Sequence, residues 1–296
     1  MEPFDQVCAL LPPHLRRSAE ALPALVTRRV EEVHLRCGKR GTLTVKGDEL
    51  PLPWPEPITR RDLELVIEIA TQASAHAALE RVRQGYFTVR GGHRVGLCGS
   101  VVTEGGQVKN LRCLSSLNLR VAHAVPGCGE EAVKALIKEG EFPSALLLAP
   151  PGGGKTTLLR DMVRLLSNGF CARPLRVGLC DERGEVAALW EGAPQFDVGE
   201  RTDVLEGCPK AQALMMLLRG MNPQVLACDE ITESADCAAL SQCAGCGVKL
   251  LSTVHARDVS DLNRKEVYRE LLRRGIFERA VVLESGHTFR VEALPC

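Results

Sequence analysis

Residues 149–157 read APPGGGKTT: three consecutive glycines, a lysine and two threonines, directly behind the apolar run ALLLA at 145–149. A glycine-rich turn between a buried strand and a helix leaves backbone N–H groups free to face an anion, and the helix dipole adds positive charge there. Gly152, Gly153 and Gly154 permit close approach, Lys155 has the reach for β- and γ-phosphates, and the Thr156 hydroxyl can ligate Mg²⁺, with Thr157 beside it in the phosphate-binding set. The pattern is G-x-x-x-x-G-K-[ST] with Ala149 in place of the first glycine, a substitution that fits a strand end with negative φ. The expected cofactors are ATP and Mg²⁺. An ordinary glycine-rich turn is the competing reading, and the strand, lysine and threonine together weigh against it.

Hydrolysis needs acids at neighbouring strand ends. QVLACDE (224–230) ends in Asp229, placed for Mg²⁺, and Glu230, placed to orient or deprotonate water. LRVGLCDERGE (175–185) ends in a second acidic tip, Asp181-Glu182-Arg183. Either Glu230 or Glu182 could act on the water, and Glu230 is favoured. A fourth apolar run, VKLLSTVHA (248–256), ends with Thr253 and His255, polar groups able to sense a γ-phosphate. A lone histidine is more often structural.

The elements that must position these residues form two patterns. Residues 1–125 suggest a smaller, mixed α/β N-terminal domain. VEEVHLRC (30–37) and TLTV (42–45) predict strands, Asp62 to about Arg83 a helix, YFTVRGGHRVGL two β-runs around Gly91-Gly92, and SLNLRVAH a last strand. Residues 126–296 alternate strands with helices, the grammar of an α/β domain with a mostly parallel sheet covered on both faces. Its strands are expected at 145–149, 175–180, 224–228, 248–253 and 280–284, and helices begin near Gly154, Lys210, Ser234 and Ser260.

The 37 lysines and arginines balance 37 aspartates and glutamates, which gives no net field toward nucleic acid or an anionic membrane. Thirteen scattered cysteines, several inside apolar runs, read as reduced buried thiols. With no basic leader and no apolar stretch of spanning length, the expected location is the cytoplasm, and any membrane role comes through partners. Cys243-Ala-Gly-Cys246 has metal-ligand spacing but no second pair, so a buried or helix-end pair is the simpler reading. The basic segment 263–275 reads first as a solvated helix face.

In order, these four strand-end motifs resemble the Walker A, aspartate box, Walker B and histidine box of the type II and type IV secretion ATPases. GGHRVGLCG (91–99), SLNLRVAH (116–123) and DVLEGCPKAQALMMLLRGMNPQVLACDE (203–230) are similar to a sporulation branch of them, the stage III sporulation protein AA family. The resemblance runs from about Glu31 to Ser285. It implies a RecA-like P-loop domain and a homo-oligomeric ring, a hexamer, with ATP at subunit boundaries. It also implies a role in energising a membrane channel complex between mother cell and forespore. In related rings a neighbouring domain presents arginines to the nucleotide; the candidates are Arg94 and Arg120, then Arg183 and Arg201. Two other classes stand beside this one: a nucleic-acid-stimulated motor, disfavoured by the zero net charge and 4% aromatic content, and a scaffold that binds ATP without turnover. No stable nucleic-acid partner is expected.

Overall fold

A computed structural model describes residues 2–71, 85–284 and 288–294. The chain divides into two compact units, Met1–His123 and Ala124–Cys296.

The first unit opens with short helices α1 (Pro3–Cys8), α2 (Pro13–Glu20) and α3 (Ala24–Thr27). Strands β1 (Val30–Arg36), β2 (Thr42–Val45) and β3 (Asp48–Pro51) precede helix α4 (Arg60–Ala70). Strands β4 (Tyr86–Thr88), β5 (Arg94–Glu104) and β6 (Gln107–Arg120) follow it. They form one sheet in the order β3-β2-β1-β6-β5-β4, with every ladder antiparallel. The β5–β6 turn needs positive φ at both central residues, which Gly105 (59°) and Gly106 (79°) supply. Helix α4 starts with a capping box: Asp62 N–H donates to the Thr59 hydroxyl at 3.2 Å, and Thr59 N–H to the Asp62 carboxylate at 2.8 Å. It buries Leu63, Val66 and Ala70 at helical spacing. The part of the expected helix beyond Thr71 lies outside the described residues.

The second unit holds a seven-stranded sheet in the order β11-β8-β12-β13-β7-β14-β15. Its strands are β7 (Ala145–Ala149), β8 (Val177–Asp181), β11 (Thr202–Glu206), β12 (Val225–Cys228), β13 (Lys249–His255), β14 (Arg279–Leu283) and β15 (Phe289–Ala293), while the short pair β9 (Leu189–Trp190) and β10 (Ala193–Pro194) stands apart. All ladders of the large sheet are parallel except β14–β15. Helices are α5 (Glu130–Leu136), α6 (Lys155–Asn168), α7 (Lys210–Met221), α8 (Ser234–Gly245) and α9 (Glu266–Arg273).

Side-chain alternation explains why the strands read as unbroken apolar runs. Leu146, Leu148, Cys180, Leu226 and Cys228 enter one core with α7, α8 and α9, whereas Ala145, Leu147, Leu179, Val225 and Ala227 enter a second core with α5 and α6. Both faces of the central strands are dry, so these strands carry few polar residues. Helix α6 adds Leu158, Leu159, Met162, Val163 and Leu166 to the second core. The helix expected from Ser260 starts later: Ser260–Arg264 is a 3₁₀ helix, and the α-helix begins only at Glu266, after extended Lys265. Among the described residues, no helix is long and apolar enough to cross a membrane.

Candidate active site

Four parallel strands deliver their carboxyl ends to one edge of the large sheet, at Ala149, Asp181, Cys228 and His255. Ligands of open α/β sheets bind beyond this edge. Register decides which groups meet: Ala149 pairs with His255, and Cys228 with Ser252. Lys155 thereby comes within reach of His255, and Asp229 falls beside Thr253.

The glycine turn leads from β7 into α6. Gly152 and Gly154 occupy the left-handed region, at φ 73° and 82°, and Gly154 is the N-cap. Gly153 is required for packing instead: a Cβ there would stand 2.8 Å from the Ala149 methyl and 3.0 Å from the Pro150 oxygen. In the first helical turn, the N–H groups of Lys155, Thr156 and Thr157 have no intrahelical acceptor, the arrangement that suits an anion.

Lys155 is buried, and burial lowers its pKa while Asp229 and Glu230 oppose the shift. Its ammonium donates to the carbonyls of Ala149 (3.1 Å) and Pro150 (3.0 Å) and to His255 Nδ1 (2.8 Å). An ammonium has no lone pair, so Nδ1 accepts and the ring proton is assigned to Nε2, which lies 2.9 Å from Glu230 Oε1. Lys155 is thus hydrogen-bonded to His255, whose other ring nitrogen stands at ion-pair distance from Glu230.

Asp229 is fixed by three donors. Thr156 Oγ1 reaches its Oδ2 at 2.8 Å, while Thr253 Oγ1 (2.6 Å) and Glu230 N–H (3.0 Å) meet Oδ1. A hydroxyl and a carboxylate so close together are hard oxygen donors suited to Mg²⁺. Glu230 itself has φ 36°, a strained value for a side-chain-bearing residue. Its carboxylate is partly exposed, with Arg183 Nη1 3.6 Å from Oε2. A cavity of 30 Å³, room for a water molecule, is bordered by Glu182, Glu230, Asp229 and Lys210 among others.

The two acids of the second tip have different surroundings. Asp181 turns inward and accepts the N–H groups of Glu185, Val186, Ala187 and Ala188. Burial raises its pKa, and those four donors pull the other way. Arg160 of α6 holds the same loop from its other side, donating to the carbonyls of Val186 (2.6 Å) and Glu185 (2.7 Å) and stacking on Phe196. Glu182 stays partly exposed and is paired with Lys210 at 3.2 Å.

The arginines separate. Arg183 stands at the site. Arg201 lies just before β11, where its carbonyl accepts from Val177 N–H, at the amino end of the strands and so the edge opposite the glycine turn. Arg94 and Arg120 belong to the first unit, as register partners on β5 and β6, with Arg94 stacked 3.3 Å over the Tyr86 ring. Cys243 is buried in α8 and Cys246 is its C-cap; among the described residues no group of three or more histidines, cysteines or acids gathers to hold a metal.

The family model of sporulation stage III, protein AA matches residues 1–292. The chain belongs to that family. This sporulation stage III AA chain is 35% identical to stage III sporulation protein AA of Bacillus subtilis (strain 168), over 95% of its length and 91% of that protein's. Its fold is that of secretion ATPases. It superposes on the pilus retraction motor PilT, solved with bound ADP, with a TM-score of 0.60 at 16% identity over 90% of the chain and 80% of PilT. For the Legionella pneumophila ATPase DotB the TM-score is 0.56 at 14% identity, over 86% and 72% of the two chains.

Sequence reasoning missed Lys210 of this family member, whose ammonium reaches the Glu230 carbonyl at 2.8 Å. The available signal was a lysine opening a helix, where the dipole disfavours a cation. The inward role of Asp181 was equally hidden, because four backbone donors leave no side-chain pattern.

Proposed function

We propose that the chain is a Mg²⁺-dependent ATP hydrolase of the secretion-ATPase type, with a C-terminal RecA-like P-loop domain spanning about residues 126–296. The observation that carries this reading is the hydrogen bond from Thr156 to Asp229: the hydroxyl of the glycine-turn helix already lies against the strand-end carboxylate, with Lys155 one residue away. Thr156 and Asp229 would hold Mg²⁺, and Gly152–Gly154, Lys155 and Thr157 the phosphates. When bound, Mg²⁺ offsets phosphate charge and polarises the transferred group.

The residues divide the remaining work. Lys155 exchanges two carbonyls and His255 Nδ1 for phosphate oxygens, a stronger charge-assisted partner. Glu230, steered by His255 Nε2–H, accepts a proton from water held in the adjoining cavity. Glu182, tied to Lys210, serves as a wall of that cavity. His255 thus links occupation of the phosphate site to the acid that activates water.

Family membership supports a role in sporulation. In this reading a cytoplasmic homo-hexamer in the mother cell binds ATP at subunit boundaries, Arg94 and Arg120 approach the nucleotide of a neighbouring subunit, and a membrane-embedded channel complex receives the work. The test is binding of a fluorescent ATP analogue with and without Mg²⁺. Wild type should bind, Lys155→Ala should lose binding, and Thr156→Val should lose the Mg²⁺ dependence. Equal behaviour of all three proteins would overturn the reading.

A further inference from the structure

Lys210 is a buried lysine to which the scheme above gives no role beyond its pairing with Glu182. It is 5% exposed and opens α7 behind Pro209, where the helix dipole disfavours a cation. Three partners surround its ammonium: Glu182 Oε2 at 3.2 Å, the Glu230 carbonyl at 2.8 Å and Asp236 Oδ2 at 3.7 Å. Each belongs to a different segment: the tip after β8, the tip after β12 and the first turn of α8. Asp236 in turn accepts Thr232 N–H (3.1 Å) and Glu233 N–H (3.2 Å), which fixes the chain just beyond Glu230.

The Glu230 peptide is thus gripped from both sides. Thr253 Oγ1 accepts its N–H at 2.8 Å, and Lys210 donates to its carbonyl. Between these two contacts the residue holds its left-handed φ of 36°, which an unsupported glutamate would relax. Burial pulls the Lys210 pKa down, but Cys228, Asp236 and Glu182 outweigh it and leave the ammonium charged.

Building on the hydrolase reading, we propose that Lys210 is a positioning residue: its ammonium clamps the strained Glu230 backbone so that the carboxylate meets His255 Nε2 and the water cavity. It borders the water cavity, donates to the Glu230 carbonyl and not to the Glu230 carboxylate, and acts through Glu230. The geometry of that carboxylate exists without nucleotide, so the proposal has a readout independent of turnover.

The test compares Lys210→Met, Lys210→Arg and Glu230→Gln with wild type in three measurements. The first is ¹⁵N-histidine NMR of the His255 Nε2–H, assigned with His255→Gln. The Nε2–H resonance should keep its carboxylate-shifted position in wild type and Lys210→Arg and move in Lys210→Met. The second is affinity for ATP, which should be unchanged in Lys210→Met. The third is steady-state turnover, which should fall about 10- to 100-fold in Lys210→Met with little change in KM, and recover in Lys210→Arg. An unmoved Nε2–H resonance in Lys210→Met overturns the proposal, as does a parallel loss of affinity and turnover, which would make Lys210 a structural residue only. Failure of the hydrolase reading looks different: wild type itself would not turn over ATP, whether or not it binds it and whatever the NMR signal does.

Discussion

Gly153→Ala tests whether the glycine turn is set by packing. Gly153 lies outside the left-handed φ region, so backbone preference gives no reason for glycine there. The reason is space: the added methyl would sit 2.8 Å from the Ala149 Cβ and 3.0 Å from the Pro150 oxygen, both closer than normal contact, and Ala149 is fully buried in β7. Overpacking of this kind costs about 1–3 kcal/mol. The turn can relieve it only by opening, which displaces the N–H groups of the first α6 turn. Affinity for ATP should therefore fall roughly 5- to 100-fold, by isothermal titration calorimetry, while thermal unfolding of the remainder changes little. Ala149→Gly removes the methyl responsible for the shorter contact. The double variant should recover part of the loss, by about 1 kcal/mol, since groups in contact couple. Unaltered affinity in Gly153→Ala, or strict additivity in the double variant, refutes the packing argument.

Other outcomes follow from the same structure. Asp181→Ala orphans three buried N–H groups and one half-buried one and should destabilise the protein by about 3 kcal/mol in denaturant unfolding; a change below about 1 kcal/mol contradicts the inward role assigned to it. Glu182→Gln should retain most ATP turnover in a phosphate-release assay, because Glu182 is a cavity wall, and loss as deep as that of Glu230→Gln would reverse the assignment. His93 supplies an acid dependence. Burial, with the His123 charge adding to it, lowers its pKa from 6.5 to about 4. Between those values the unfolded chain binds a proton that the native chain does not. Stability is therefore full above pH 6.5 and drains as pH falls toward 4, by about 3 kcal/mol at the limit. His93→Gln should flatten the melting profile over that window, and an unchanged slope would refute the effect.

What could be read from the sequence follows from burial. Strands β7, β8 and β12 lie in the sheet interior, are wetted on neither face, and so announce themselves as unbroken apolar runs. Strand β11, at one edge, has no buried residue, being half-buried throughout except for exposed Asp203 (TDVLE), and β15 at the other edge carries Arg290 and Glu292. Neither has the period of a buried strand, and neither was foreseen. Helix α6 was legible because its apolar spacing and the glycine turn agree. Ser260–Arg264 misled because a serine before a helical pattern reads as a cap, whereas extended Lys265 splits the segment. At the site, Lys155, Thr156, Asp229, Glu230 and His255 were legible by motif, each standing at or just beyond a strand end. The grip of Lys210 on a backbone carbonyl depends on three loops meeting, which local spacing does not encode.

Hydrolysis of ATP at this edge of the sheet is open to direct assay. The most direct measurement is phosphate release from Mg-ATP by the purified protein across a range of protein concentrations, beside Lys155→Ala and Glu230→Gln. Wild type should turn over ATP at a rate per subunit that rises with concentration, as sites complete between subunits, and both variants should be silent. A wild type that binds Mg-ATP yet releases no phosphate at any concentration, or release that survives in Glu230→Gln, would contradict the hydrolase reading.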